Sequence, residues 1–84
     1  MSYRTDLKWL QDLTRFTPEQ RKILLALSNE GYRWRTRVRI IDVTGLGPKD
    51  VDSELSKLIT EEIVRPSFSK KKEMIFGLRE RVDS

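Results

Sequence analysis

The sequence predicts an α+β chain: three helices closed by a β-hairpin, with one further helix in front. Three observations carry this. Gly45-Leu46-Gly47-Pro48 interrupts two helix-capable runs, with Gly45 suited to the left-handed position that ends one helix and Pro48 to the first turn of the next. After the break, Val51, Leu55, Leu58, Ile59 and Glu62 recur at spacings of three and four, so the four apolar ones make a core-facing seam along a helix 48–63. Two short β-capable runs, 63–68 and 74–78, then flank Ser69-Lys70-Lys71-Lys72-Glu73, a hairpin with a basic tip.

A chain of 84 residues has room for one domain, and a single core of that size leaves a small stability margin. Hydrophobic residues at 37% and charged residues at 36% make an ordinary globular mix with a densely charged surface. Cysteine and histidine are both absent, which excludes disulfides, thiol chemistry, zinc-finger ligation and imidazole acid–base catalysis. The opening Met-Ser-Tyr-Arg-Thr-Asp lacks the apolar core of a signal peptide, and no run approaches the roughly 18 apolar residues of a membrane span. A cytoplasmic protein without a membrane partner is expected.

Residues 1–5 and 79–84 are polar and are expected to be flexible. Between them, Leu7, Leu10 and Leu13 recur every three residues with Trp9 beside them and Phe16 just beyond, which predicts an accessory helix over 6–16 capped by Thr5 or Asp6. That helix either covers the core or leaves Trp9 on a surface where a second copy docks. Thr17-Pro18-Glu19-Gln20 is a strong helix start, combining a capping hydroxyl, proline at the first position and glutamine three residues after the cap. Ile23, Leu24 and Leu27 then form an apolar face, widened by Leu25 and Ala26, and Gly31 ends the helix after Asn29 and Glu30. From Tyr32 the period becomes two, with Tyr32, Trp34 and Thr36 on one side and Arg33, Arg35 and Arg37 on the other, a short strand. A less regular helix follows over 37–43.

In the hairpin, Pro66 has no N–H for a ladder and belongs on an edge or at a bulge. Met74, Phe76 and Leu78 alternate toward the core, leaving Ile75 and Gly77 on the other face. The order helix, short strand, helix, turn, helix, hairpin resembles the winged helix–turn–helix family over about residues 17–78. Tyr32-Arg33-Trp34-Arg35-Thr36 followed by Thr44-Gly45-Leu46 looks like a bacterial version of that fold, often a module in larger proteins. The fold expected is therefore a small winged helix–turn–helix with an added N-terminal helix. The resemblance implies pairing of the first strand with the hairpin, burying Trp34 and exposing the arginines. It also implies DNA binding, with the helix 48–63 in the major groove and the wing on the backbone or in the minor groove.

Charge is distributed unevenly. Arg33, Arg35, Arg37 and Arg39 place +4 in seven residues, and Arg65, Lys70, Lys71 and Lys72 against Glu73 place +3 around the hairpin. The helix from Pro48 carries Lys49 and Lys57 against Asp50, Asp52, Glu54, Glu61 and Glu62, a net of −3. Phosphate contacts are assigned to Arg35, Arg37, Arg39, Lys70, Lys71 and Lys72. Arg37 and Arg39 oppose the dipole of the helix they open, a small cost that points to a partner anion. Lys49, Ser53, Ser56, Lys57 and Thr60 fall on one exposed arc and are assigned any base reading. The plainer alternatives are a solvated helix face, lysines that blunt a sheet edge, and arginine stems that cover Trp34.

Catalysis lacks parts. Without His or Cys, a hydrolase would need a carboxylate pair or an activated lysine or serine, and Gly45-Leu46-Gly47 is too short for a phosphate loop. The Asp50, Asp52, Glu54, Glu61 spacing echoes a calcium loop but fails at Leu55, where such a loop needs glycine. No enzyme, metal or cofactor is expected. The function expected is a small bacterial transcriptional regulator or accessory module that binds double-stranded DNA. A protein-interaction module, favoured by the net-negative helix, stays open, as do RNA binding, a homodimer through the N-terminal helix and a larger protein partner.

Overall fold

A computed structural model of the chain describes residues 15–29 and 31–83. The accessory helix, Trp9 and the dimer surface expected there lie outside the described residues, apart from Arg15 and Phe16. Phe16 is buried in the core.

The first helix, α1, spans Pro18–Leu27 and begins on the capping box read from its sequence. The Thr17 hydroxyl accepts from the Gln20 N–H, and the Gln20 Oε1 accepts from the Thr17 N–H, both at 3.1 Å. Ile23, Leu24, Ala26 and Leu27 are buried as expected, but Leu25 is 58% exposed, because it falls on the opposite side of the turn from Ile23 and Leu27. The helix also stops earlier than Gly31. Ser28 caps it, its hydroxyl donating to the Leu25 carbonyl at 2.8 Å.

Strand β1 is only Arg35–Thr36, and α2 follows at once over Arg37–Thr44. Thr36 fixes that start, since its hydroxyl accepts from the Arg39 N–H at 3.2 Å. Gly45 ends α2 in the left-handed region at φ 72°, and its N–H donates to the Ile41 carbonyl at 2.9 Å. Helix α3, Pro48–Thr60, opens with proline in its first turn and buries Val51, Leu55 and Leu58, with Ile59 half-buried against the core. Here the expected end is corrected. Glu62 is not on the seam: it sits beyond the helix at φ 63°, where its N–H donates to the Ile59 carbonyl and that of Ile63 to Leu58, both at 3.0 Å. This is the two-bond stop usually made by glycine, built here on a glutamate.

Strands β2 (Val64–Phe68) and β3 (Met74–Leu78) form the hairpin, and the antiparallel sheet runs in the order β1-β3-β2. Pro66 is therefore on an edge strand. Val64, Phe76 and Leu78 lie in one core with Ile23, Leu24, Leu27, Ile40, Val51, Leu55 and Leu58. The architecture is a small winged helix, with α2, the turn and α3 as its helix–turn–helix.

One further expectation is corrected. Met74 shares the face of Phe76 and Leu78 but is 47% exposed, because the hairpin extends past the helices that cover its base. The polar segment after Leu78 contains the helical turn α4, Arg79–Val82. Arg81 Nη1 donates to the carbonyls of Leu27 (3.1 Å) and Asn29 (2.8 Å), joining α4 to the end of α1. Arg79 pairs with Glu62 and with Asp83, and both interactions hold its guanidinium pKa above the usual value.

Gly77 shows why this end is packed. A Cβ there would lie 2.7 Å from the Arg33 carbonyl oxygen, 2.7 Å from Val82 Cγ1 and 3.2 Å from Trp34 Cε3. Trp34 and α4 thus cover the sheet face opposite the core, and Trp34 is half-buried there. Because one neighbour is backbone, Gly77→Ala should destabilise the fold by about 1–3 kcal/mol in urea unfolding. Thr17→Ala, which removes the capping box, should cost about 1 kcal/mol in the same measurement.

Candidate nucleic-acid interface

The exposed side of α3 and the hairpin adjoin. A cleft of about 280 Å³ runs between them, lined by Asp52, Leu55, Ser56, Ile59, Thr60, Met74 and Phe76. Of the residues assigned to base reading, Ser56 and Thr60 are in this cleft, and Lys49, Ser53 and Lys57 are exposed along the same helix. Thr60 differs chemically from its sequence assignment. Its hydroxyl donates to the Ser56 carbonyl at 3.0 Å, so the oxygen keeps only acceptor capacity for another group. Lys57 leans toward Glu54, its Nζ 3.6 Å from Oε2.

The hairpin tip is a built turn. The Ser69 hydroxyl accepts from the N–H groups of Lys71 and Glu73, both at 3.2 Å, while the Lys72 N–H donates to the Ser69 carbonyl at 2.9 Å. Lys72 adopts φ 66°. Lys70, Lys71 and Lys72 are all exposed, and none has an ion-pair partner among the described residues.

The arginines divide. Arg39 is exposed in the first turn of α2 without an ion pair among the described residues. Arg37 has an internal anion: its Nε and Nη2 donate to the two carboxylate oxygens of Asp52 at 2.6 and 3.0 Å. The hydrogen bond from Arg37 holds the Asp52 carboxyl below its usual range, and the same bond raises the pKa of Arg37. The partner anion inferred from the dipole argument is, for Arg37, the carboxylate at the start of α3. Arg35 is half-buried rather than exposed, its guanidinium 4.8 Å from the Tyr32 ring centroid. It lines a second recess with Lys22, Leu25, Asn29 and Val43, separate from the cleft along α3.

This pairing changes the electrostatics of α3. Asp52 is bound by Arg37, Glu54 by Lys57, Glu61 by Arg15 and Glu62 by Arg79. Asp50 remains, in the first turn, where the helix dipole favours a carboxylate. The acids are plain in the sequence, but Arg37, Arg15 and Arg79, distant in the chain, are not legible as their partners from spacing. Among the described residues no group of three or more acidic side chains could hold a metal ion. No helix of the described residues is long and apolar enough to cross a membrane.

No protein-family model matches the chain, and no characterised protein matches it by sequence. A solved structure of Bordetella bronchiseptica BpsR, a protein whose DNA binding is regulated by 6-hydroxynicotinic acid, is similar with a TM-score of 0.69 at 17% identity. The match covers 94% of this chain and 64% of BpsR. At this identity the likeness is one of fold, and it supports the winged helix; the narrower bacterial type read from Tyr32 to Thr36 gains no support from it.

The Arg37–Asp52 pair has a pH signature. Because the folded carboxyl titrates below its unfolded value, its contribution to stability is complete above the ordinary carboxylate range and is lost as pH falls through the lowered pKa. Wild type should therefore be more stable than Asp52→Asn at neutral pH, with the gap closing as pH falls below the ordinary carboxylate range and narrowing in high salt, as read by thermal unfolding.

Proposed function

We propose that this winged helix binds double-stranded DNA as a transcriptional regulator or an accessory module. The observation that carries the reading is the allocation of charge on and beside α3. Four acids at or beyond its exposed side have cationic partners, while Lys49, Arg39, Lys70, Lys71 and Lys72 have none among the described residues. A polyanion approaching α3 and the hairpin meets unpaired cations and largely neutralised carboxylates. Phosphate contacts are assigned to Lys70, Lys71, Lys72 and Arg39. Contacts to base edges or phosphates from a major-groove helix are assigned to Lys49 and Ser53, with Ser56. Arg37 serves the surface through Asp52, as its neutralising partner, and Arg35 is set aside from the contact surface.

The BpsR likeness supports this at the level of fold, since that protein binds DNA. A protein-interaction reading is favoured by a different observation. Leu25 and Val43, 58% and 51% exposed, line the α1–α2 recess with Lys22 and Arg35. The two readings separate by titration. Duplex DNA of mixed sequence added to labelled protein should shift the amides of 49–60 and 69–73 at low salt, and less at moderate salt. Shifts confined to the α1–α2 recess, or none, would reject DNA binding through α3. Lys70→Ala, Lys71→Ala and Lys72→Ala should each flatten the plot of log K against log salt by about one unit per lost phosphate contact.

A further inference from the structure

The hairpin carries an apolar rung that the fold does not use. Phe68 is paired with Met74 in the antiparallel register, as Pro66 is with Phe76 and Val64 with Leu78. Cross-strand partners share a face, so all six side chains lie on the face that turns toward α3. Val64 and Leu78 are buried at the base, Phe76 is buried midway, and at the outer end Phe68 is 67% and Met74 47% exposed. Met74 forms one wall of the cleft whose other wall is Ser56 and Thr60. Immediately beyond the rung come Lys70, Lys71 and Lys72, with Glu73 the one acid of the turn.

Resting on the DNA-binding reading, we propose that Phe68 and Met74 form a nonionic wall for one sugar–phosphate strand of the duplex. The strand lies along the cleft, deoxyribose faces against Phe68 and Met74, and phosphates toward the Ser56 hydroxyl and the lysine tip. Charge complementarity selects this occupant. The cleft itself holds one carboxylate, Asp52, already bound by Arg37, and the turn that joins Phe68 to Met74 beyond it carries three lysines with no ion pair among the described residues. An apolar strip bordered by cations matches a strand whose sugars are apolar and whose phosphates are charged. Thr60, which lines the cleft, fits the same arrangement, since its hydroxyl proton is engaged with the Ser56 carbonyl.

An apolar contact releases no counterions, and this gives the test. Binding of duplex DNA would be measured from low to moderate salt for wild type, Phe68→Ser, Met74→Ser and Lys71→Ala. Both side chains are largely exposed, so the variants should fold, which circular dichroism would verify. Phe68→Ser should weaken binding by about tenfold at every salt concentration without changing the salt slope, Met74→Ser should do so by less, and Lys71→Ala should change the slope. Wild-type DNA binding with Phe68→Ser and Met74→Ser both indistinguishable from it would overturn the wall and leave the DNA-binding reading standing. Failure of wild type to bind duplex DNA at low salt would overturn both.

Discussion

The packing of β3 is the constraint on which the rest of the structure depends. It is the central strand, bonded to β1 on one side and β2 on the other, and its two faces meet different partners. Phe76 and Leu78 enter the core shared by the three helices, while Gly77 admits Trp34 and Val82 on the opposite face. A two-residue β1 has little pairing energy of its own. It is held because Trp34 lies on Gly77 and because α2 begins directly after it, on the hydroxyl cap of Thr36. The hairpin can then project beyond the helices because its base is fixed on both faces. Exposure of Phe68 and Met74 is a result of that projection.

The second organising feature is ionic. An acidic helix is a poor surface for a polyanion, yet each acid after Asp50 is met by a cation from a neighbouring turn or a distant element. The pairs are exposed and are weak sources of stability. Their larger consequence is for potential: they remove net charge from α3 and leave the lysine tip to dominate its neighbourhood. Arg37 shows how one side chain serves both ends. It gives a two-point bond to Asp52 across the turn, so one contact both links α2 to α3 and neutralises the exposed edge.

Local chemistry was legible in the sequence wherever the signal is local. The Thr17–Gln20 box, the left-handed Gly45, Pro48 in a first turn, the four apolar residues of the α3 seam and edge placement of Pro66 all depend on a few adjacent residues, and each appears as read. Features set by residues far apart were not. Nothing near Arg37 signals Asp52, fifteen positions on. The polar composition of 79–83 gives no hint that Arg81 reaches the carbonyls ending α1. Met74 fits the core alternation and is exposed only because the helices are shorter than the hairpin, a length comparison that periodicity does not contain. Glu62 is the instructive case, since an apolar-to-acidic stripe continued past the point where the backbone had turned left-handed without a glycine.

Lys72 makes the same left-handed turn at the other end of β2, and there the chemistry bears on function. A non-glycine residue at φ 66° carries a strain of roughly 1 kcal/mol or more, and glycine at that position would relieve it. The turn offsets that strain with the Ser69 hydroxyl, which accepts two backbone N–H groups, and with the Lys72 N–H bonded back to the Ser69 carbonyl. Lysine at this position adds no bond to the fold; it adds a cation, held at a fixed place on a braced backbone. A loose basic loop would carry the same charge but would lose conformational freedom on meeting a phosphate strand. Under the proposed DNA-binding reading, bracing the tip in the free protein would remove much of that cost. The strained turn at Lys72 and the exposed rung at Phe68 and Met74 thus lie together at the outer end of the hairpin, where the fold itself makes no use of either.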